Sequence, residues 1–299
     1  MNKEEKEETF DVNQGHGDHN ETVNGYATNR DFLAECLPKA IQEADMVLST
    51  KTPMACSVDG DATIMRKFFL LGAKDAPARL MAILACNESA KTNELYSVYP
   101  ECDGAEVEVR LTDIHEWAAG YEATLEGTVL GDAEREVAFF DTRYVLNKDR
   151  YVIGETYKFR MAAFAYNVSV LPEEEREFRM EGEKAIDYQK RLGNEPEFDE
   201  NGNVKPVIFR MDEMVAFFQN SRAYPDDAEF QSPVFDDPVE FDRFGTSFYK
   251  LTVAIARDDE DVRIPLIAKK ALFAVIPKKS DPIRGRIWVQ GYLAGSDKA

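Results

Sequence analysis

Residues 120–166 read GYEATLEGTVLGDAEREVAFFDTRYVLNKDRYVIGETYKFRMAAFAY, and residues 248–293 read FYKLTVAIARDDEDVRIPLIAKKALFAVIPKKSDPIRGRIWVQGYL. The two stretches share one plan. A strand-like run (ATLEGTVL; FYKLTVAIA) meets an acidic tip, at Asp132–Glu136 and at Asp258–Asp261. The chain returns as a second strand and crosses a polar gap. A glycine, Gly154 or Gly285, then opens a last long strand. Two paired strands, an excursion and a returning strand suit a small closed barrel of the OB type. The expected fold class is therefore mainly β with some α (α+β): two OB-like β-barrel modules plus an N-terminal helix.

Outward from these modules, Phe32, Leu33, Leu37, Ile41, Ala44 and Leu48 fall at helical spacing after Asn29 and Asp31, which predicts the helix. Thr52–Val58, Arg79–Cys86 and the alternating Glu106–Leu111 read as strands. Residues Ala162–Tyr166 are apolar throughout, as in a strand buried on both faces. The sequence divides into a mobile tail (1–28), the helix and first module (29–171), a charged helical connection (172–210) and the second module (211–299). A helix is expected over Glu183–Leu192, closed by Gly193.

The 299 residues carry a formal net charge of −20. A field of that sign opposes nucleic acid and anionic membranes and favours cationic partners. No leader and no run long enough to span a bilayer is read, so a cytoplasmic protein is expected. The four cysteines (Cys36, Cys56, Cys86, Cys102) form no close pair and are read as reduced structural thiols.

Motifs for chemistry are sparse. The chain has no phosphate-binding glycine loop, no dinucleotide fingerprint, no nucleophile elbow and no zinc-protease helix. His115 is the one histidine outside the tail and reads as structural. Asp141, inside an apolar strand, is read as bonding the adjacent backbone. Asp199, Asn201 and Asn203 alternate as in a calcium loop. The glycine is misplaced, however, and Arg210 stands where a bidentate Glu is needed, so the segment reads as an Asn-Gly turn. His16 and His19, in GHGDH, could ligate a transition metal, but a mobile tail supplies no supporting shell, and no metal or cofactor is expected.

Charge is distributed unevenly. Residues 199–242 hold 11 acidic and 3 basic side chains, while residues 263–288 hold 7 basic and 1 acidic. The simplest account is internal balance between the two segments. The basic segment also supplies the one speculative ligand face: Lys269, Lys270, Phe273, Arg284, Arg286 and Trp288, with Lys278 and Lys279 beside them. Cations interleaved with aromatics suit stacking of a single strand.

The runs FFDTRYVLNKDRYVIGETYKFRMAAFAY and DPIRGRIWVQGYL resemble an uncharacterised family of bacterial hypothetical proteins. The resemblance covers roughly residues 120–293, implies no activity and carries over no functional residues. The first functional expectation is a non-catalytic binding or protein-interaction protein that uses its barrel faces, with another protein or a second copy as partner. The alternatives are an OB-type single-stranded nucleic-acid binder, disfavoured by the net charge, and a carboxylate-dependent hydrolase.

Overall fold

The protein is described by a computed structural model covering residues 16–17, 19–58, 62–74, 76–87, 90–118, 120–131, 135–219, 224–257 and 260–295. It opens with α1 (Asn29–Gln42), capped by the Thr28 hydroxyl, which accepts the Asp31 N–H. Phe32, Cys36 and Ala40, four apart, form its buried face. Pro38 sits within the helix, which continues through it to Gln42. Strands β1 (Met46–Ser49), β2 (Met54–Val58), β3 (Ala62–Gly72), β4 (Arg79–Asn87) and β5 (Thr92–Glu101) form a five-stranded antiparallel sheet. Its order is β1-β3-β4-β5, with β2 also on β3.

The remaining sheet begins with β6 (Ala105–Glu116), β7 (Ala123–Val129) and β8 (Arg135–Asp141). After the short helix α2 (Tyr144–Asn147) comes β9 (Thr156–Val170). The sheet resumes with β12 (Ala216–Gln219), β13 (Asp227–Pro233), β14 (Val239–Arg243), β15 (Thr246–Ala256), β16 (Val262–Lys269) and β17 (Pro282–Leu293). The intervening segment, residues 171–215, holds the hairpin β10 (Glu177–Met180) and β11 (Val207–Arg210), with α3 (Gly182–Arg191) between its strands.

Strands β6, β7, β8, β17 and β9 close a five-stranded barrel in that order, with β8 and β17 parallel. Numbered by position in the module, the ring runs 1-2-3-5-4. Its fifth strand is β17, from the far end of the chain. The second ring repeats the order. β15 pairs with β16, β16 lies parallel to β9, β9 pairs with β17, and β17 pairs with β13. Closure between β13 and β15 runs through the Phe235 N–H to Thr252 O and the Ala254 N–H to the Ser232 hydroxyl. Each ring thus takes its fifth strand from the other ring's fourth. β9 and β17, antiparallel over Phe159–Val170 and Ile283–Leu293, are the shared wall, so residues 29–171 and 211–299 meet through exchanged strands.

The two strand-opening glycines do different work. Gly154 lies at φ +93°, a turn conformation open to glycine. Gly285 lies where β17 crosses β9, and a Cβ there would sit 2.1 Å from Asn167 O. Alternation along the shared strands then sorts the two cores. Phe159, Met161, Ala163, Ile287 and Val289 point into the rings. Ala162, Phe164 and Trp288 point out, into a second core with Phe32, Phe68, Leu70, Leu80 and Tyr99 from α1 and the first sheet. Ala162–Ala165 are accordingly buried on both faces, as the apolar run implies.

The reading of residues 1–28 as a mobile tail needs correction. Residues 1–15 lie outside the described ones, but from His16 the chain is built into the fold. Val23, Asn20 and Thr22 are buried, and Lys269 holds the segment by donating to Glu21 O at 2.9 Å and Asn24 O at 3.4 Å. The segment's buried polar side chains are hydrogen-bonded: Asn20 donates to Val98 O and the Thr22 hydroxyl to His19 O. Composition alone reads such a stretch as unable to fold.

Three of the four cysteines, Cys36, Cys86 and Cys102, are free, and Cys36 and Cys102 are buried. Burial pushes the Cys102 thiol up to about 12, where it is inert. The side chain of Cys56 lies outside the described residues. Among the described residues no helix is long and apolar enough to cross a membrane.

Candidate functional site

The six residues of the speculative ligand face do not converge. Trp288 is fully buried, and its indole N–H donates to Asp226 Oδ2 at 2.6 Å. Phe273 packs edge-on to Tyr249 against the barrel. Arg286 binds Asp227 at 2.6 Å, Lys270 binds Glu240 at 2.6 Å, Arg284 binds Glu175 at 2.6 Å, and Lys269 holds backbone carbonyls. Two of these pairs join the basic segment to the acidic one, which is the internal balance suggested by the charge pattern. Three of the four named cations are paired with acids and Lys269 with backbone carbonyls, and the tryptophan offers no face to a base. The strand-binding reading thereby loses the arrangement it depends on.

What the fold brings together instead lies between the outer face of the shared strands and the N-terminal segment. Asp226, just before β13, is fully buried beside Trp288. His16 Nε2 lies 2.9 Å from its Oδ2, across 210 residues of sequence. The other ring nitrogen of His16, Nδ1, lies 2.9 Å from Gly17 O and 3.3 Å from His19 Nε2. His19 Nδ1 meets the Tyr166 hydroxyl, which bonds Asp227 Oδ1 at 2.9 Å, and Asp227 Oδ2 takes Arg286. One hydrogen-bonded chain thus runs from buried Asp226 through two imidazoles and a phenol to an arginine at the surface.

Aromatic rings fix the imidazoles. His19 stacks on Trp288 with centroids 4.5 Å apart and planes 9° apart. His16 stacks on Phe140 at 4.4 Å and meets Trp117 edge-on at 4.7 Å. The electrostatics divide the pair. Burial works against a charge on His16, but Asp226 outweighs it, so the His16 pKa is raised. Burial and the neighbouring His16 lower His19 to about 3, so it is neutral. Burial, reinforced by Asp226, lifts Asp227 to about 6. Burial likewise pushes Asp226 upward, but His16 overrides it, so Asp226 stays low and ionised. Its second oxygen, Oδ1, is buried and has no hydrogen-bond partner among the described residues.

The GHGDH run marks His16 and His19 in the sequence, but nothing there marks Asp226, one of 11 acids in its segment. His115, on β6, sits half-buried against Glu126 at 3.0 Å, with Asp113 at 3.8 Å, on the outer surface. Asp141 accepts the Arg143 N–H at 2.9 Å, as expected of a carboxylate at a strand end, and the Tyr151 hydroxyl at 2.5 Å. Asp199 accepts the N–H groups of Asn201 and Asn203 in a tight turn, which is the Asn-Gly turn the sequence suggests.

A second feature is built on the segment between β9 and β12. The β10–β11 hairpin pairs Phe178 with Phe209 and Met180 with Val207, placing four apolar side chains on one face. Tyr188 of α3 packs on Phe209 at 5.2 Å. Beyond the hairpin, Met211 and Met214 complete the floor of a groove of about 860 Å³. Its rim carries Glu174, Glu175, Glu177 and Glu213 against Arg210 and Arg257. Phe178 is 54% exposed, and Ile208, Phe198 and Leu192 nearby are also exposed.

The chain matches no family model, no curated protein and no solved structure.

Proposed function

We propose that this is a non-catalytic binding protein that takes a cationic, amphipathic segment of a partner protein into the groove beside the β10–β11 hairpin. The observation that carries the reading is the make-up of that groove. Its floor is thioether and phenyl side chains, which adapt to varied apolar shapes. Its rim has two more carboxylates than guanidinium groups, and Glu174 and Glu213 form no ion pair among the described residues. An apolar floor inside an acidic rim suits a helix with Leu or Phe on one face and Lys or Arg at its margins. The net charge of −20 acts in the same direction by steering cationic partners inward. The barrel rings, filled by their own side chains, serve as the rigid support.

The test is fluorescence anisotropy of a labelled Leu/Lys amphipathic peptide titrated with the full-length protein at two salt concentrations. Saturable binding is expected. It should weaken at least about tenfold in Phe178→Asp and in Glu174→Lys/Glu213→Lys, which removes about 1.4 kcal/mol of binding energy. Affinity unchanged in both variants, or a labelled oligonucleotide bound more tightly than the peptide, would sink the proposal.

A further inference from the structure

The geometry points to a divalent first-row transition-metal site held by His16 and His19. The two imidazoles face each other through His16 Nδ1 and His19 Nε2, 3.3 Å apart. Two nitrogens bound to one tetrahedral ion at about 2.0–2.1 Å stand roughly 3.3 Å apart. Gly17 O, 2.9 Å from His16 Nδ1, is an oxygen donor on the same side. Asp226 brings a carboxylate oxygen within 4.8 Å of a ring nitrogen from each histidine.

The far nitrogen of each ring is anchored, as ligating histidines require. His16 Nε2 is held by Asp226 and His19 Nδ1 by Tyr166, itself bound to Asp227. These are carboxylate–imidazole supports, one direct and one relayed through a phenol. They leave His16 Nδ1 and His19 Nε2 as the pair that faces inward; His16 Nδ1 donates to Gly17 O here, and a metal would take the place of that proton. Stacking on Trp288 and Phe140 holds both ring planes, so little side-chain freedom remains to be lost on binding. This is the supporting shell that a mobile tail would have lacked.

Charge and chemistry agree with a cation. Asp226 Oδ1 is fully buried and has no hydrogen-bond partner among the described residues, which is costly for a charged oxygen unless positive charge stands nearby. The donors are imidazole and oxygen with no thiolate, the set that suits Zn²⁺, Ni²⁺, Cu²⁺ or Fe²⁺. Such an ion would lock residues 16–24 onto the shared barrel wall, because both ligands come from that segment and both anchors come from the barrel.

The full-length protein, freed of metal by chelation, is titrated with Co²⁺ while its visible absorption is followed. One equivalent should develop the band of a tetrahedral or five-coordinate ion, and Zn²⁺ should displace it. His16→Gln and His19→Gln should each weaken binding at least about tenfold, and Asp226→Asn about 10–100-fold. His115→Gln, which disrupts the surface cluster with Asp113 and Glu126, should leave it unchanged. X-ray absorption on the Zn²⁺-loaded native protein needs no variant and should show two imidazoles at about 2.0–2.1 Å. Absence of stoichiometric Co²⁺ binding, a band that persists in His19→Gln but disappears in His115→Gln, or zinc with fewer than two imidazoles would each overturn the assignment.

Discussion

Two buried charge clusters flank the shared strands, and they differ in how completely they are closed. Around Glu101, at the end of β5, every acceptor is used. Oε1 takes Arg79 Nε at 2.9 Å, Arg79 Nη2 at 2.5 Å and Arg143 Nη2 at 2.9 Å. Oε2 takes Arg143 Nε at 3.2 Å and the Thr142 hydroxyl at 2.5 Å. The Arg143 guanidinium also lies 3.7 Å over the Tyr292 ring. Around Asp226, one oxygen takes two donors and the other takes none among the described residues. A network with nothing left over welds the first sheet to the barrel. A network with a vacant charged acceptor beside two facing imidazoles has capacity for something more.

The largest effect is expected at the closed cluster. Glu101→Gln leaves two buried guanidinium groups without their carboxylate, which costs about 3–5 kcal/mol, enough to threaten folding. Urea unfolding at neutral pH measures it. A loss under about 1 kcal/mol would mean the arginines find other partners and the cluster is not closed. Acid should act in the same direction. Burial raises Glu101, but Arg143 and Arg79 outweigh it and hold its pKa down to about 2. A depressed folded pKa means the stabilisation is complete above the unfolded value near 4.5 and is lost as pH falls through about 2.

Asp141 gives the opposite sign from the same neighbourhood. Burial lifts its carboxyl to about 7, against the lowering effect of its Tyr151 and Arg143 hydrogen bonds. With the folded pKa raised, its favourable contribution is complete below the unfolded value near 3.8 and is lost as pH rises through about 7. Asp141→Asn should therefore gain on the native protein by about 1–3 kcal/mol between pH 5 and pH 9. Parallel stability–pH curves for the two proteins would show that Asp141 is ionised throughout.

How much of this was legible in the sequence follows from how local each signal is. The repeated strand plan at 120–166 and 248–293 is local, and it marks the three strands each stretch contributes, β7, β8 and β9 and then β15, β16 and β17. The exchange of β9 and β17 between rings is not, because alternation tells a strand which face is buried but not which neighbour it pairs with. GHGDH is visible, yet its partner lies 210 residues away among many similar acids. Residues 172–210 read as a charged helical connection because their charges dominate. The weaker signal was Phe178 and Met180 at period two, facing Val207 and Phe209 at the same period.

Asp226→Asn tests the open cluster more gently. The amide keeps one acceptor for Trp288 and His16, and His16 can shed its proton. The expected loss is about 1–2 kcal/mol, less than at Glu101. If both variants cost the same, openness does not distinguish the clusters.

Arg286→Gln carries the smallest stability effect and probes the surface end of the same chain. Arg286 is 52% exposed, so its pair with Asp227 is screened and its loss should cost less than about 1 kcal/mol. Its electrostatic consequence is sharper. Asp227 is raised to about 6 by burial and Asp226, with Arg286 opposing both. Removing the opposing cation moves the Asp227 titration upward, and with it the pH at which its contribution to stability is lost. Carboxyl NMR titration reads that shift directly. An unmoved Asp227 would mean that the Tyr166 hydroxyl, not the arginine, sets its charge. The chain of hydrogen bonds would then end at the phenol, with the buried imidazoles electrically isolated from the surface.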